Sequence, residues 1–159
     1  MARVEDVMQK NARACHADDA MSEPARIMWE RDCGFAPVVA SDGNGRVVGV
    51  ITDRDLCMAA YTRGKSLGEL RVAEAMTTDV HTCAPGDSIA AAEATMRAGR
   101  VRRLPVVDAG GQLLGVLSLA DLARSLSREG RGKARVTAME LAEVLDAVSA
   151  PRPAASDSA

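Results

Sequence analysis

The chain repeats itself. The segment VEDVM at residues 4–8 returns as VAEAM at residues 72–76, an offset of 68 residues. The same offset relates the tripeptide Pro-Val-Val at 37–39 to the identical tripeptide at 105–107. Similarity at one fixed spacing is the signature of a duplicated structural unit. We therefore expect two similar halves over residues 4–126.

Each copy predicts the same order of elements, β-α-β-β-α. A short extended piece precedes an amphipathic helix, two apolar strands joined by a Gly-rich turn, and a closing helix. The predicted ranges in the first copy are 12–15, 20–31, 36–40, 47–51 and 53–61. In the second copy they are 80–83, 88–99 and 119–127, with a second strand pair around the turn at 108–111.

The starts of the first helix of each copy are predicted from local chemistry. In the second copy Asp87 is the expected N-cap, because a side-chain oxygen there can accept a backbone N–H. In the first copy Pro24 lacks an N–H and tolerates only the start of a helix. That helix is therefore expected to begin later than its counterpart, or to have a distorted first turn.

The expected fold is α+β (α/β-type), with two tandem repeats packed about a pseudo-twofold axis and an added C-terminal helix. We assign residues 1–66 to the first repeat, 67–127 to the second, 128–149 to a basic hinge and helix, and 150–159 to a disordered tail. The C-terminal helix is predicted at 136–148, with an apolar stripe formed by Met139, Ala142, Val144 and Leu145.

Composition argues against two classes of partner. Lys+Arg (20) and Asp+Glu (22) leave a net charge of -2, and aromatic residues are 2%, so nucleic acid is not expected to bind. No run of about 18 apolar residues predicts a membrane span, and a cytoplasmic location is expected. The alternative is a basic hinge that contacts phosphates, formed by Arg128, Arg131, Lys133 and Arg135.

The cysteines and histidines do not predict chemistry. The four cysteines lack C-x-x-C spacing, which favours reduced, buried thiols. A zinc site of Cys15, His16, His81 and Cys83 is the alternative, but alternating strand faces argue against it and no metal is expected. No catalytic motif is present, so an enzyme is not expected.

A hydroxyl and a carboxylate stand together at the start of the closing helix in each copy. Thr52 and Asp55, and likewise Ser118 and Asp121, form S/T-x-x-D directly after a strand. This pattern predicts helix capping. The same carboxylate could also accept hydrogen bonds from two ribose hydroxyls, and the two roles are compatible.

The ordered set of V-x-D/E-x-M, P-V-V and G-h-h-S/T-x-x-D (h, apolar), present twice, resembles the CBS (cystathionine beta-synthase) domain. Two tandem copies resemble a Bateman module, and the resemblance covers about four fifths of the chain. It implies two clefts between the copies that hold AMP, ADP, ATP or S-adenosylmethionine, and a homodimer formed through helices. It also implies that Asp55 and Asp121 hold ribose, with Thr52 and Ser118 as companions.

The resemblance implies further contacts that differ between the copies. Arg102 and Arg103, just before the second Pro-Val-Val strand, are expected to contact phosphate, whereas the first copy has no arginine there. A solvated basic surface is the alternative. The adenine pocket is expected to be formed by Cys15, His16, Ala36, Cys83, Ala84 and Leu104.

We therefore expect a non-catalytic regulatory module that binds an adenosine-type nucleotide and modulates an unidentified protein partner. No obligatory cofactor is expected. The first alternative is a constitutive interaction scaffold in which the S/T-x-x-D turns are only helix caps. The second is a factor associated with nucleic acid through the basic hinge.

Overall fold

A computed structural model describes residues 2–128 and 137–151, without the side chains of 126–128. The elements in chain order are β1 (Gln9–Lys10), β2 (Cys15–His16), α1 (Ser22–Arg31), β3 (Phe35–Val39), β4 (Val47–Thr52), α2 (Asp53–Arg63), α3 (Ile89–Gly99), β5 (Arg103–Val107), β6 (Leu113–Ser118), α4 (Leu119–Arg128) and α5 (Ala138–Ser149). Short 3-10 turns cover Val4–Asp6 and Val72–Glu74.

Two three-stranded sheets confirm the duplicated unit. One sheet has the strand order β2-β3-β4 and the other β1-β6-β5. In each, an antiparallel hairpin follows the first helix, and both hairpins shift register by a bulge at the same place, between Val38 and Val39 and between Val106 and Val107. Equivalent irregularities at equivalent positions indicate that both copies keep one local design.

The opening segments of the two copies are exchanged between the halves. Val4 is fully buried in the core of the second half, and Val72 is fully buried in the core of the first. Strand β1 accordingly pairs antiparallel with β6, which belongs to the other copy. Neither half completes its core alone, and the predicted boundary at 66/67 does not separate the two cores.

Glycines permit this exchange. A Cβ at Gly115 would lie 2.4 Å from the carbonyl oxygen of Gln9, and a Cβ at the equivalent Gly49 would lie 3.0 Å from Sδ of Met76. At Gly115 only a residue without a side chain allows the exchanged backbone to approach so closely, whereas at Gly49 the flexible Met76 side chain would have to shift slightly.

The helix starts follow local capping chemistry. Helix α1 begins at Ser22, one position later than its counterpart, which confirms the effect expected from Pro24. Pro24 is the third residue of the helix, where its missing N–H has no intrahelical acceptor to lose. The predicted Asp87 cap was wrong. Ser88 is the N-cap of α3 and accepts from the N–H of Ala91, while Asp87 closes the preceding turn by accepting from the N–H of Ala84.

Helix α5 covers the second half. It packs against α3 and α4, and the predicted apolar stripe was correct only for Val144, which is fully buried. Leu141 and Val148 pack beside it, whereas Met139 and Leu145 are 74% and 52% exposed. The inward face therefore follows the spacing 141, 144, 148, because those positions lie on one side of a 3.6-residue helix.

Candidate functional site

The two S/T-x-x-D turns are reciprocal capping boxes, as their pattern predicts. At the start of α4, the N–H and Oγ of Ser118 donate to Oδ2 of Asp121 at 2.8 and 2.6 Å. The N–H of Asp121 donates back to Oγ of Ser118 at 3.1 Å. Thr52 and Asp55 make the same contacts at the start of α2.

The two turns differ in what surrounds them. Ser118 and Asp121 are 8% and 5% exposed, whereas Thr52 and Asp55 are half-buried. Oδ1 of Asp121 accepts from Nε2 of Gln9 at 2.8 Å and also from Arg124. With Ser118 on Oδ2, the Asp121 carboxylate has four donors, which is the capacity of its two oxygens.

Asp121 lines a cavity of about 300 Å³ between the halves. Residues of β5, β6 and α4 line it from the second half, and residues from 9–13 and from 27–37 line it from the first half. The polar and aromatic lining residues are Gln9, Lys10, Asn11, Arg13, Arg31, Asp32, Phe35, Arg103, Ser118, Asp121 and Arg124.

The cavity carries excess positive charge. Its lining contains five basic residues, Lys10, Arg13, Arg31, Arg103 and Arg124, against the two acids Asp32 and Asp121. Arg103 lies directly opposite Ser118 in the β5–β6 register. Arg13 pairs with Glu30 and Arg124 with Asp121, while Lys10, Arg31 and Arg103 form no ion pair with any described residue. The cavity thus combines a carboxylate at a helix start with several uncompensated cations.

The equivalent position in the first half lacks these charges. Phe35 stands where the second half has Arg103, and Met58 stands where it has Arg124. Neither Thr52 nor Asp55 is among the residues that line the two cavities described here. The expected difference between the two sites therefore has a basis in the side chains around each carboxylate.

The remaining predicted contacts lie elsewhere. Arg102 is exposed, and its guanidinium reaches Oγ of Ser149 at the end of α5, 3.4 Å away. Of the predicted adenine-pocket residues, Cys15, Ala36, Cys83 and Leu104 are buried in the two cores, while His16 and Ala84 are exposed. None of these seven residues lines the two described cavities. The buried four point into the cores, because alternate side chains of a strand face opposite sides of the sheet, whereas Arg102, His16 and Ala84 face solvent away from the cavities.

Burial governs the thiols in the cores. It raises the pKa of Cys15 and of Cys83 to about 12, with the charges of Asp19 and Asp87 adding to the effect. Both thiols are therefore protonated at neutral pH. The expectation of buried thiols is met by these two but was wrong for Cys57, which is exposed, and Cys33 is only half-buried. Among the described residues no group of three or more His, Cys, Asp or Glu side chains is placed to hold a metal ion.

Several lining residues were missed by sequence reasoning. Gln9 and Lys10 belong to the first copy and share the cavity with Asp121 because the opening segments are exchanged, and Phe35 of β3 lines the same cavity from the first half. Arg124 could have been found, since it stands three residues after Asp121 on the same helix face.

A second, open cavity of about 810 Å³ lies on the outer face of α1 and α2. Trp29 at its edge is 88% exposed, and Tyr61, near the end of α2, is 80% exposed. The equivalent face of the second half is the one that α5 covers. The first half thus presents an apolar helix face that no described element covers.

Comparison with known proteins identifies the family. The CBS domain model matches residues 4–61 and 72–128, which are the two copies of the repeat. The chain belongs to the CBS domain family. None of its described helices has the length and apolar character needed to span a membrane.

The CBS pair is similar to proteins of its own size and to parts of larger ones. It is 32% identical over 135 residues to the CBS domain-containing protein YhcV of Bacillus subtilis (strain 168), spanning 84% of this chain and 93% of that one. It spans only 22–24% of the homoserine O-acetyltransferases that it also matches.

Two solved structures share the fold. CBSX2 in complex with AMP is 25% identical with a TM-score of 0.70, and the match covers 82% of this chain and 100% of that one. The CBS domain pair of protein MJ0100, in complex with 5′-methylthioadenosine and S-adenosyl-L-methionine, is 25% identical with a TM-score of 0.68, covering 77% and 98%.

Proposed function

We propose that the chain is a non-catalytic regulatory module that binds an adenosine-type nucleotide in the cavity at Asp121. The observation that carries this proposal is a buried carboxylate at the start of α4, facing a cavity that both halves build and that five basic residues line. Carboxylates suit ribose hydroxyls, and arginines suit phosphate oxygens. The similarity to a pair that holds AMP and to another that holds adenosine derivatives supports the same ligand class.

Each part of the ligand has a candidate partner. Asp121 and Ser118 receive the ribose, and Arg103, one strand away, receives phosphate. Phe35 offers an aromatic face to the adenine ring from the first half. Because the ligand touches both halves, its binding energy depends on how they pack, which is the condition for reporting occupancy to a partner.

Asp55 and Thr52 remain a proposed second ribose site. It should be weaker for phosphorylated ligands, because Phe35 and Met58 replace the arginines there. One strong site for each chain is therefore expected.

Calorimetric titration with AMP, ADP, ATP and S-adenosylmethionine tests the proposal. At least one ligand should bind the wild type saturably, and Asp121→Asn should weaken it about tenfold or more, since an amide cannot accept from both ribose hydroxyls through two oxygens. Glu140→Gln is the matched control. It alters the similar Thr137–Glu140 capping box of α5, whose residues do not line the cavity, and should leave affinity unchanged.

Two results would contradict the proposal. One is the absence of binding by all four ligands to the folded wild type. The other is equal weakening in Asp121→Asn and Glu140→Gln, which would reduce the S/T-x-x-D turn to a helix cap and favour the ligand-free scaffold.

We also propose that the apolar face of α1 and α2 is the partner surface, and that a second copy of the chain occupies it in a homodimer. An aromatic side chain that is as exposed as Trp29 is typical of contact surfaces. Sedimentation of the wild type should give a dimer, and Trp29→Glu should shift it to monomer. A wild type that is monomeric at high concentration would refute this assembly.

The nucleic-acid alternative rests on residues 129–136, which lie outside the described residues, together with the side chain of Arg128. It stays a prediction of the sequence. It requires binding that weakens steeply with added salt.

A further inference from the structure

We infer that Arg124 and Gln9 form a lock on the ribose acceptor, and that release of Arg124 lets the site distinguish a nucleotide from its nucleoside. This inference rests on the proposed function. It concerns the two donors on Oδ1 of Asp121, the oxygen that the capping box leaves free.

Each ribose hydroxyl that binds Asp121 must displace one of the donors already there. Oδ2 is held by the N–H and the hydroxyl of Ser118, and Oδ1 is held by Gln9 and Arg124. Because a carboxylate accepts about four hydrogen bonds, no lone pair remains for two further hydroxyls. Ribose binding is therefore an exchange of partners at Asp121.

Arg124 is the donor that can leave. Its side chain is 53% exposed, whereas that of Asp121 is 4% exposed, so the guanidinium lies at the cavity surface and can turn on its stem. Gln9 is also exposed, but the pairing of β1 with β6 holds its backbone and its side chain is shorter, so its amide has less room to leave Oδ1. The exchange therefore moves Arg124 first.

The released guanidinium needs a new anionic partner. The lining offers the acid Asp32, but the cations Lys10, Arg31 and Arg103 outnumber it, so breaking the Arg124–Asp121 pair leaves further positive charge uncompensated. A phosphate group compensates for that charge, and a nucleoside does not. The lock therefore penalises adenosine, which displaces Arg124 without giving it an acceptor, more than AMP, which supplies one.

The test compares AMP with adenosine in the wild type and in Arg124→Met. Methionine is the residue at the equivalent position of the first half, and it forms helices well. Loss of Arg124 should strengthen adenosine binding and weaken AMP binding. The ratio of the Kd of adenosine to the Kd of AMP should then fall by about tenfold or more, which is the effect of one charge-assisted hydrogen bond.

Arg54→Met is the matched control. Arg54 is an exposed arginine of α2 that does not line the cavity, so this variant removes the same charge and should keep the wild-type ratio. A purely structural helix pair between Arg124 and Asp121 would change the melting temperature of Arg124→Met but not the ratio.

The possible results separate the inference from the proposed function. A fallen ratio in Arg124→Met alone supports the lock. If the wild type binds AMP while Arg124→Met keeps the wild-type ratio within about threefold, the lock is refuted and the proposed function stands. If the folded wild type binds neither AMP nor adenosine at millimolar concentration, both are refuted.

Discussion

Glu93 is an acidic residue buried where helix α5 covers α3. It is 3% exposed, and its Oε1 makes no hydrogen bond with any described residue. Burial raises the pKa of Glu93, with further raising by Glu140 and Glu143 of α5, while Arg97 acts in the opposite direction. The folded protein therefore bears the cost of an uncompensated polar group at this interface.

Replacing Glu93 with methionine should stabilise the protein at pH 7. A buried polar group without a partner costs about 1–3 kcal/mol, and methionine is a helix former of similar length. For a chain of this size the gain corresponds to roughly 3 °C in Tm for each kcal/mol. Urea unfolding followed by circular dichroism measures it directly. Glu5→Gln, at an exposed position, should change stability by less than about 0.5 kcal/mol.

The raised pKa of Glu93 also determines how the stability difference between Glu93→Met and the wild type changes with pH. A raised folded-state pKa means that the stabilising protonated form of Glu93 is present below the ordinary glutamate range and is lost as pH rises through the folded-state value. The advantage of Glu93→Met over the wild type should therefore grow from pH 4 to pH 7. Glu93→Gln, closer in shape, should show the same trend. The reasoning would be refuted if Glu93→Met and Glu93→Gln were both less stable than the wild type at pH 7. A stability gain that does not change with pH would also refute it.

Two further predictions concern the exchanged segments and the thiols. Gly115→Ala should destabilise the fold by about 2 kcal/mol or more in urea unfolding, because the added Cβ meets the backbone of Gln9. Gly68→Ala, whose Cβ would only reach ordinary contact with Oγ of Ser66, should be nearly neutral, and equal effects would contradict the exchange. With a thiol reagent at pH 8, Cys57 should react at once in Trp29→Glu, where the proposed dimer face is open, and Cys15 and Cys83 should react only on unfolding, since burial raises both of their pKa values to about 12. Rapid reaction of a core thiol would contradict the described burial.

The elements that depend on neighbouring residues could be predicted from the sequence. The repeat predicts the order β-α-β-β-α, which the first copy shows, whereas the predicted strand at 80–83 is only a single bridge from Cys83 to Val106. The Thr52–Asp55 and Ser118–Asp121 turns cap their helices as the pattern requires. These features rest on contacts within four residues, for which sequence spacing is a direct guide.

Contacts between distant segments could not be predicted. The duplication indicates two halves but does not say that each completes the core of the other, so the contact of Gln9 with Asp121, 112 residues away, was not foreseen. Apolar content alone predicts Met139 and Leu145 on the inward face of α5, but in the structure Leu141 and Val148 pack against the core instead. The hydrophobic pattern predicts that the helix has an apolar face, but tertiary packing determines which of several similar faces is buried.

A crystal structure of the protein with AMP tests the central claim most directly. Density is expected for one nucleotide between the halves, with both ribose hydroxyls within hydrogen-bond distance of Asp121 and the phosphate beside Arg103. Nucleotide bound with its ribose on Asp55 alone, or outside the space between the halves, would contradict it.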